Sequence, residues 1–363
     1  MSRVVTFGEI MGRLTPAGFL RLEQCLPGTL QAAFAGAEAN VAVSIARLGG
    51  ESVFVTALPR HAVADACVAS LRALGVDTCH ILRTESGRLG LFFLETGANQ
   101  RPSSVLYDRS GSAISQTPGA RYAWKEIFSE AHWFHITGIT PSLSRIAAEA
   151  TLLAVREAKA QRLQISCDLN FRKKLWRWDP ALSSHELAEK TMREILPHVD
   201  LVVANEEDAA DVLGIRAQDT DVQSGKVAVE HYPAVAREIV RQFPNVSRVA
   251  ITLRESISAS HNNWGALLYE SAGDVPYFAP LSRGRYEPYA IRNLVDRVGA
   301  GDAFAAALIY ALTTPDLKAS DTAVAFAAAA SCLAHSIAGD FNYTSRSEVE
   351  ALMKGSGSGR VVR

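Results

Sequence analysis

Charge of one sign, cysteine pairs, long apolar runs and metal-ligand spacings are all lacking in this 363-residue chain. Each lack removes a class of function. Lys and Arg number 37 against 38 Asp and Glu, a formal net charge of −1 that argues against general nucleic-acid or anionic-membrane binding. The five cysteines (Cys25, Cys67, Cys79, Cys167 and Cys332) are odd in number and never spaced as CxxC. Neither a disulfide framework nor a zinc site is expected from them. The nine histidines show no metal spacing; His132 and His135, three apart on an apparent strand, face opposite sides. The longest apolar run, Thr322–Leu333, is too short to span a bilayer. Met1-Ser2-Arg3-Val4-Val5 runs straight into a strand, without the charged and apolar regions of a secretory signal. A cytoplasmic location is therefore expected. No G-x-G-x-x-G follows the first strand, which makes a dinucleotide-dependent oxidoreductase remote. Internal repeats and heptads are absent as well.

What is present is a hydrophobic share of 48%, ample for a sizeable core. Short β-branched runs alternate with longer helical patterns. Val4–Phe7 comes before a helix over Asn40–Leu48, and Ser52–Ala57 before Val63–Leu74. Trp133–Ile136 precedes Ser142–Arg162, Ile165–Asp168 precedes His185–Leu196, and Asp200–Ala204 feeds Glu206–Leu213. A last helix over Ala234–Gln242 leads to Arg248–Leu253. This alternation predicts an α/β fold, a mostly parallel sheet flanked by helices. Gly12–Phe34 and Gly87–Ser112 break the rhythm with strand-like pieces such as Leu89–Glu95 and Ser104–Tyr107. Segments that long inside a compact domain are usually functional, and they are expected to form a small β-sheet lid. Residues 1–354 are read as one domain, with Asp219–Tyr232 a surface insertion and Gly355–Arg363 a flexible tail.

The most informative stretch is Asp296-Arg297-Val298-Gly299-Ala300-Gly301-Asp302-Ala303-Phe304. A strand-like approach over Arg292–Val295 meets a Gly-Ala-Gly turn that opens into an alanine-rich helix. Such a helix start presents unpaired backbone N–H groups and the positive end of the helix dipole, and so holds an anion. Asp302 at that mouth is poorly placed beside phosphate unless it takes a proton from an attacking hydroxyl. The pattern predicts phosphoryl transfer; an ordinary first-turn Asp is the plain alternative.

A second glycine signal, Ala35-Gly36-Ala37-Glu38-Ala39-Asn40, opens the first long helix. Together the two motifs resemble the N- and C-terminal signatures of the ribokinase-like (PfkB) carbohydrate kinases, and the resemblance runs from Gly8-Glu9 to Gly339-Asp340. Four segments sharpen it toward sugar-acid kinases of the 2-keto-3-deoxygluconate type: Arg101–Arg109, Phe134–Pro141, Asp168–Trp176 and Asn205–Asp208. The resemblance implies a ribokinase-like fold and transfer from ATP, with Mg²⁺, to a small-molecule sugar acid. Asp302 would be the general base, and Arg172 would neutralise charge on the moving phosphoryl group.

It further implies a sugar pocket of Gly36, Glu38, Asn40, Phe92, Tyr107, Arg109, Arg172, Asp302 and Asp340. Arg109 is the candidate for the substrate carboxylate, because a guanidinium offers a fork of donors that Lys lacks. Asn170, Thr252, Arg254, Ser256, Gly299, Ala300 and Gly301 would meet the nucleotide. Asn205 and Asp208 would organise water around Mg²⁺. Plainer readings stay open: Arg109 as a solvated charge, Tyr107 as packing, Arg172 as part of a surface run, and Asn205–Asp208 as a helix cap.

The chain also departs from the pattern. No glycine follows Thr252-Leu253-Arg254 until Gly265, so a long loop over Ser256–Asn263 is expected to reshape the nucleotide side. Phe92 replaces a common Tyr, Asp208 a common Glu, and Ala35 a glycine. A kinase of a neutral sugar such as fructose, or a catalytically silent sugar or nucleotide binder, are the alternative functions. The exposed edges of a lid point to a homodimer or larger assembly.

Overall fold

The computed structural model describes residues 2–205, 207–216 and 229–355. Its main strands, in chain order, are β1 (Arg3–Phe7), β2 (Met11–Thr15), β3 (Gln31–Ala35), β4 (Glu51–Val55), β5 (Gly90–Glu95), β6 (Ser104–Asp108), β7 (Trp133–Thr137), β8 (Gln164–Asp168), β9 (Leu201–Ala204), β10 (Arg248–Ser258), β11 (His261–Glu270), β12 (Val275–Ala279) and β13 (Tyr289–Ile291). The central sheet runs β12-β11-β10-β9-β8-β7-β1-β4, with β13 pairing beside β11. From β4 through β10 every pairing is parallel. Those strands are buried on both faces, as the near-continuous apolar runs require. Serines open several helices: Ser144 caps Arg145–Ala160, and Ser183 with Glu186 forms a capping box on Ser184–Ile195.

Beneath β1 lies an aromatic cluster. Phe7 meets Tyr122 and Trp124 edge-on at centroid distances of 5.1 Å, and Phe128 meets Phe134 at 4.9 Å. It fixes the end of β1, from which Gly8 and Glu9 emerge. On the other face, the alanine-rich helices Ala300–Leu312 and Ser320–Ala334 pack closely because their small side chains permit it.

The two long irregular segments form the expected lid, a four-stranded sheet in the order β3-β2-β5-β6. Met11, Phe92, Leu94 and Tyr107 face inward over the cleft. By the two-residue period of strands, Leu14, Leu91, Phe93 and Leu106 face away.

Three expectations need correction. Ser256–Asn263 is not a long loop: β10 and β11 pair in antiparallel register to Ser258↔His261, turning through Ala259 and Ser260. The tip is held from outside, with Ala259 N donating to Asn99 O at 2.7 Å and Asn99 N to Ser260 Oγ at 3.0 Å. Next, Arg292–Val295 is not a strand. The ladder ends at Asn262↔Ile291, one residue short of the first residue of β11. Last, the expected parallel sheet continues past Arg248–Leu253 into an antiparallel edge of β11, β12 and β13. Of the expected surface insertion, residues 219–228 lie outside the described residues, while Tyr232 is buried and opens the Tyr232–Gln242 helix. The expected tail lies outside them beyond Gly355.

Candidate active site

The ends of the parallel strands meet the lid around a cleft of about 360 Å³. Glu9 follows β1, Ile139 follows β7, Asp168 ends β8 with Asn170 and Arg172 just beyond it, and Asn205 and Asp208 follow β9; all line it. This is the carboxyl edge of an open α/β sheet, where ligands bind in such folds. The opposite wall is the start of the Ala300–Leu312 helix.

That helix start owes its form to one glycine more than to two. Gly299 is left-handed (φ 83°), and a Cβ on it would stand 2.3 Å from Asp340 O. Conformation and close approach both exclude a side chain there. Gly301 has neither constraint, since a Cβ on it would meet nothing within 4 Å. Its missing side chain leaves clear the space over the helix N-terminus, where Gly299, Ala300, Gly301 and Asp302 all line the cleft.

Asp302 is the third residue of this helix. Asn40 donates to its Oδ2 at 2.7 Å, while Asn40 Oδ1 accepts from Gly36 N at 3.2 Å. Asn40, expected on the sugar floor, thus orients the acid. Burial pushes the Asp302 carboxyl up to about 6, against the Asn40 bond and the charge of Arg172. Gly36 is required by proximity, because a Cβ would lie 2.0 Å from Glu9 O.

Arg172 stands exposed at the cleft with Nη1 on Phe171 O at 3.0 Å. Asn170, also lining the cleft, adopts φ 38°, and its N–H bonds Asp168 Oδ1 at 3.1 Å. Asp168 is raised well above the usual carboxylate range by burial and by the charges of Asp208 and Asp302, with Arg172 opposing. Asp208 is raised by burial too. Its two oxygens accept from Phe171 N at 3.0 Å and Asn205 N at 2.9 Å, and Asn205 Oδ1 accepts from Glu207 N and Asp208 N. The side chains expected to organise magnesium water therefore shape their own turn first. A cluster of buried acids around one guanidinium still fits a hydrated divalent cation, which keeps its waters and needs few direct ligands. Among the described residues no group of three His, Cys, Asp or Glu is set for direct ligation.

The other expected residues divide. Phe92, Tyr107, Arg109, Thr252, Arg254 and Asp340 line the cleft. Glu38 does not. It is fully buried behind the helix start, where Oε1 accepts from Thr137 N, Thr137 Oγ1 and Thr140 Oγ1. Burial lifts it to about 7. Ser256 also lies outside, its exposed hydroxyl 3.4 Å from Arg297 Nη2. Arg109 is not a loose fork of donors: Nε (2.7 Å) and Nη2 both bond Glu9 Oε2, and its guanidinium lies 5.3 Å from the Tyr107 ring. Asp340 accepts from Arg13 Nη1 at 2.5 Å, and burial holds it up at about 6.

Sequence reasoning gave no role to Glu9, Arg13, Trp264 or Arg297. Glu9 and Arg297 each sit beside a glycine motif, which was a usable signal. Arg13 and Trp264 carried none.

A model of the pfkB family carbohydrate kinases matches residues 1–252 and 263–342. The chain belongs to the pfkB family of carbohydrate kinases. Members are phosphotransferases with an alcohol group as acceptor. This kinase is 30% identical over 358 residues to the 2-dehydro-3-deoxygalactonokinase of Haloferax volcanii, covering 99% of this chain and 98% of that one. It is 42% identical to the solved 2-dehydro-3-deoxygluconokinase of Thermotoga maritima, with a TM-score of 0.87 over 98% and 100% of the two chains. An Escherichia coli fructokinase is 26% identical over 319 residues, 87% of this chain and 86% of that protein. The ribokinase-like α/β fold and the likeness to sugar-acid kinases are thereby established. The unmatched residues 253–262 coincide with the far end of β10 and the turn that Asn99 holds.

Gly299→Ala should cost turnover heavily, because the pKa of Asp302 is no help if the amides shift. Steady-state kinetics with a thermal melt would check this. Gly301→Ala should melt like the wild-type protein yet bind nucleotide more weakly.

Proposed function

We propose that this kinase transfers the γ-phosphoryl group of ATP to the 6-hydroxyl of 2-keto-3-deoxygluconate, the 2-dehydro-3-deoxygluconate of its relatives' names. One observation carries the reading: Asp302 faces the cleft beside the open amides of Gly299–Asp302, tethered by Asn40 and flanked by Arg172. Asp302 takes the proton of the attacking hydroxyl. A carboxyl moved from about 4 to about 6 remains ionised at neutral pH and is a better acceptor. The amides hold the transferring oxygens, and Arg172 neutralises charge that grows on them. The lid side chains Phe92, Leu94 and Tyr107 close over the sugar and exclude water. A magnesium ion arriving with the nucleotide would be held through water by Asp208 and Asp168, and would shield phosphate charge.

A neutral-sugar reading has one observation in its favour. The charge of Arg109 is already balanced by Glu9, so a substrate carboxylate would meet a pair and not a free cation. Arg172 and the remaining guanidinium edge of Arg109 are what favour the acid. A coupled ADP-release assay should show 2-keto-3-deoxygluconate or its C4 epimer preferred over fructose. Arg109→Lys should reduce kcat/KM for the acids more than for ketohexoses; equal losses would remove Arg109 as the carboxylate reader.

Asp302→Asn should lower turnover by orders of magnitude with nucleotide affinity retained; near-normal turnover would exclude the base role. Activity needs the ionised form, so log kcat should fall with unit slope as pH drops through about 6.

For assembly, we propose pairing of two copies through the outer lid face. Phe93 lies between Leu14 and Leu106 there, and Leu106 is 60% exposed. Sedimentation should show a dimer that Leu106→Glu dissociates; a monomeric wild-type chain would sink this. The five unpaired cysteines and the absence, among the described residues, of a helix able to cross a membrane fit the cytoplasm.

A further inference from the structure

Behind the cleft, and touching its lining at Asp340 alone, one buried ionic cluster joins three segments far apart in sequence. Arg13 lies in the middle of lid strand β2, its side chain 6% exposed. Nη2 bonds Asp296 Oδ2 at 2.5 Å, Nη1 bonds Asp340 Oδ1 at 2.5 Å, and Nε bonds Thr15 Oγ1 at 3.1 Å. Asp296 in turn shapes the turn before the helix start. Its Oδ1 accepts from Arg297 N at 2.8 Å and Val298 N at 3.2 Å, and its Oδ2 also accepts from Gly339 N at 3.1 Å. Three residues after Asp296, Gly299 abuts the Asp340 backbone. A single guanidinium therefore spans both segments whose contact makes the anion cradle.

We propose that Arg13 is a positioning residue for phosphoryl transfer: it ties the lid to the 296–299 turn and to Asp340, so that closing the lid and setting the cradle are one event. The proposal rests on the reading of the Gly299–Asp302 amides as the phosphoryl cradle. Arg13 does not line the cleft, so its action is indirect. Planarity is the reason for arginine: a fork reaches two carboxylates at fixed separation, which a point charge on a flexible stem does not. Two buried carboxylates would also be left without a counter-charge if it were removed.

The experiment compares Arg13→Lys, Arg13→Met and Arg13→Ala with the wild-type kinase, using whichever sugar the coupled ADP-release assay selects. Arg13→Lys should lower kcat by about 100-fold, the effect of a small misplacement of reacting groups, with the KM for sugar and for ATP little changed. Guanidinium ion, at concentrations too low to unfold the protein, should restore part of the turnover of Arg13→Ala and leave the wild type unaffected. Should the single variants fail to fold, the triple variant Arg13→Met, Asp296→Asn, Asp340→Asn removes the unpaired charge and keeps the test alive. A folded triple variant with lowered kcat and an unchanged KM for sugar supports the proposal. A folded Arg13→Lys or triple variant with wild-type kcat overturns it, as does a loss confined to KM. Failure of the cradle reading is separate, since it would show as unchanged nucleotide affinity in Gly301→Ala with Arg13 untouched.

Discussion

A helix end kept bare of side chains is what the rest of this site is arranged around. The N–H groups at the start of Ala300–Leu312 have no carbonyl partners of their own, and the dipole leaves that end positive. Gly299 turns the chain into it and Gly301 leaves it uncovered. An acid as the third residue would normally favour such an end by its charge. Here Asp302 is held aside by Asn40, and burial keeps its proton affinity high. The same few residues thus supply an anion cradle and a proton acceptor without one filling the other.

Electrostatics in the cleft follow from packing many acids into one buried space. Asp168, Asp208, Asp302 and Asp340 are all raised by burial, and Arg13 and Arg172 oppose the rise. Cations sit between acids here and not alone: Arg109 with Glu9, Arg13 with Asp296 and Asp340. Such pairs are poor sources of stability, because desolvation offsets their attraction, but they define where each group stands. The lid is attached by these pairs, and at its tip by the Asn99 contacts to the β10–β11 turn.

Much of this was legible beforehand, for identifiable reasons. Parallel strands buried on both faces announce themselves as apolar runs, and helix starts by their capping residues. Both motifs are local, so Gly36, Gly299 and Asp302 could be placed from neighbours in sequence alone. The β10–β11 hairpin could not be read, because its tip lacks a glycine signal and is held by Asn99 from a distant segment. Glu38 was misplaced because its motif neighbours face the cleft, whereas it turns inward to Thr137 at the end of β7 and to Thr140 in the helical turn beyond it.

The fold class, the lid segments and the chemistry available at Gly299–Asp302 are written into the chain locally, since each depends on local periodicity or on backbone freedom. Which charges are engaged is set by the folded chain. Whether Arg109 is free or paired, and whether Arg13 matters at all, depends on side chains 100 or more positions away. Long-range ion pairing leaves no mark on a local pattern, because either partner would look the same alone.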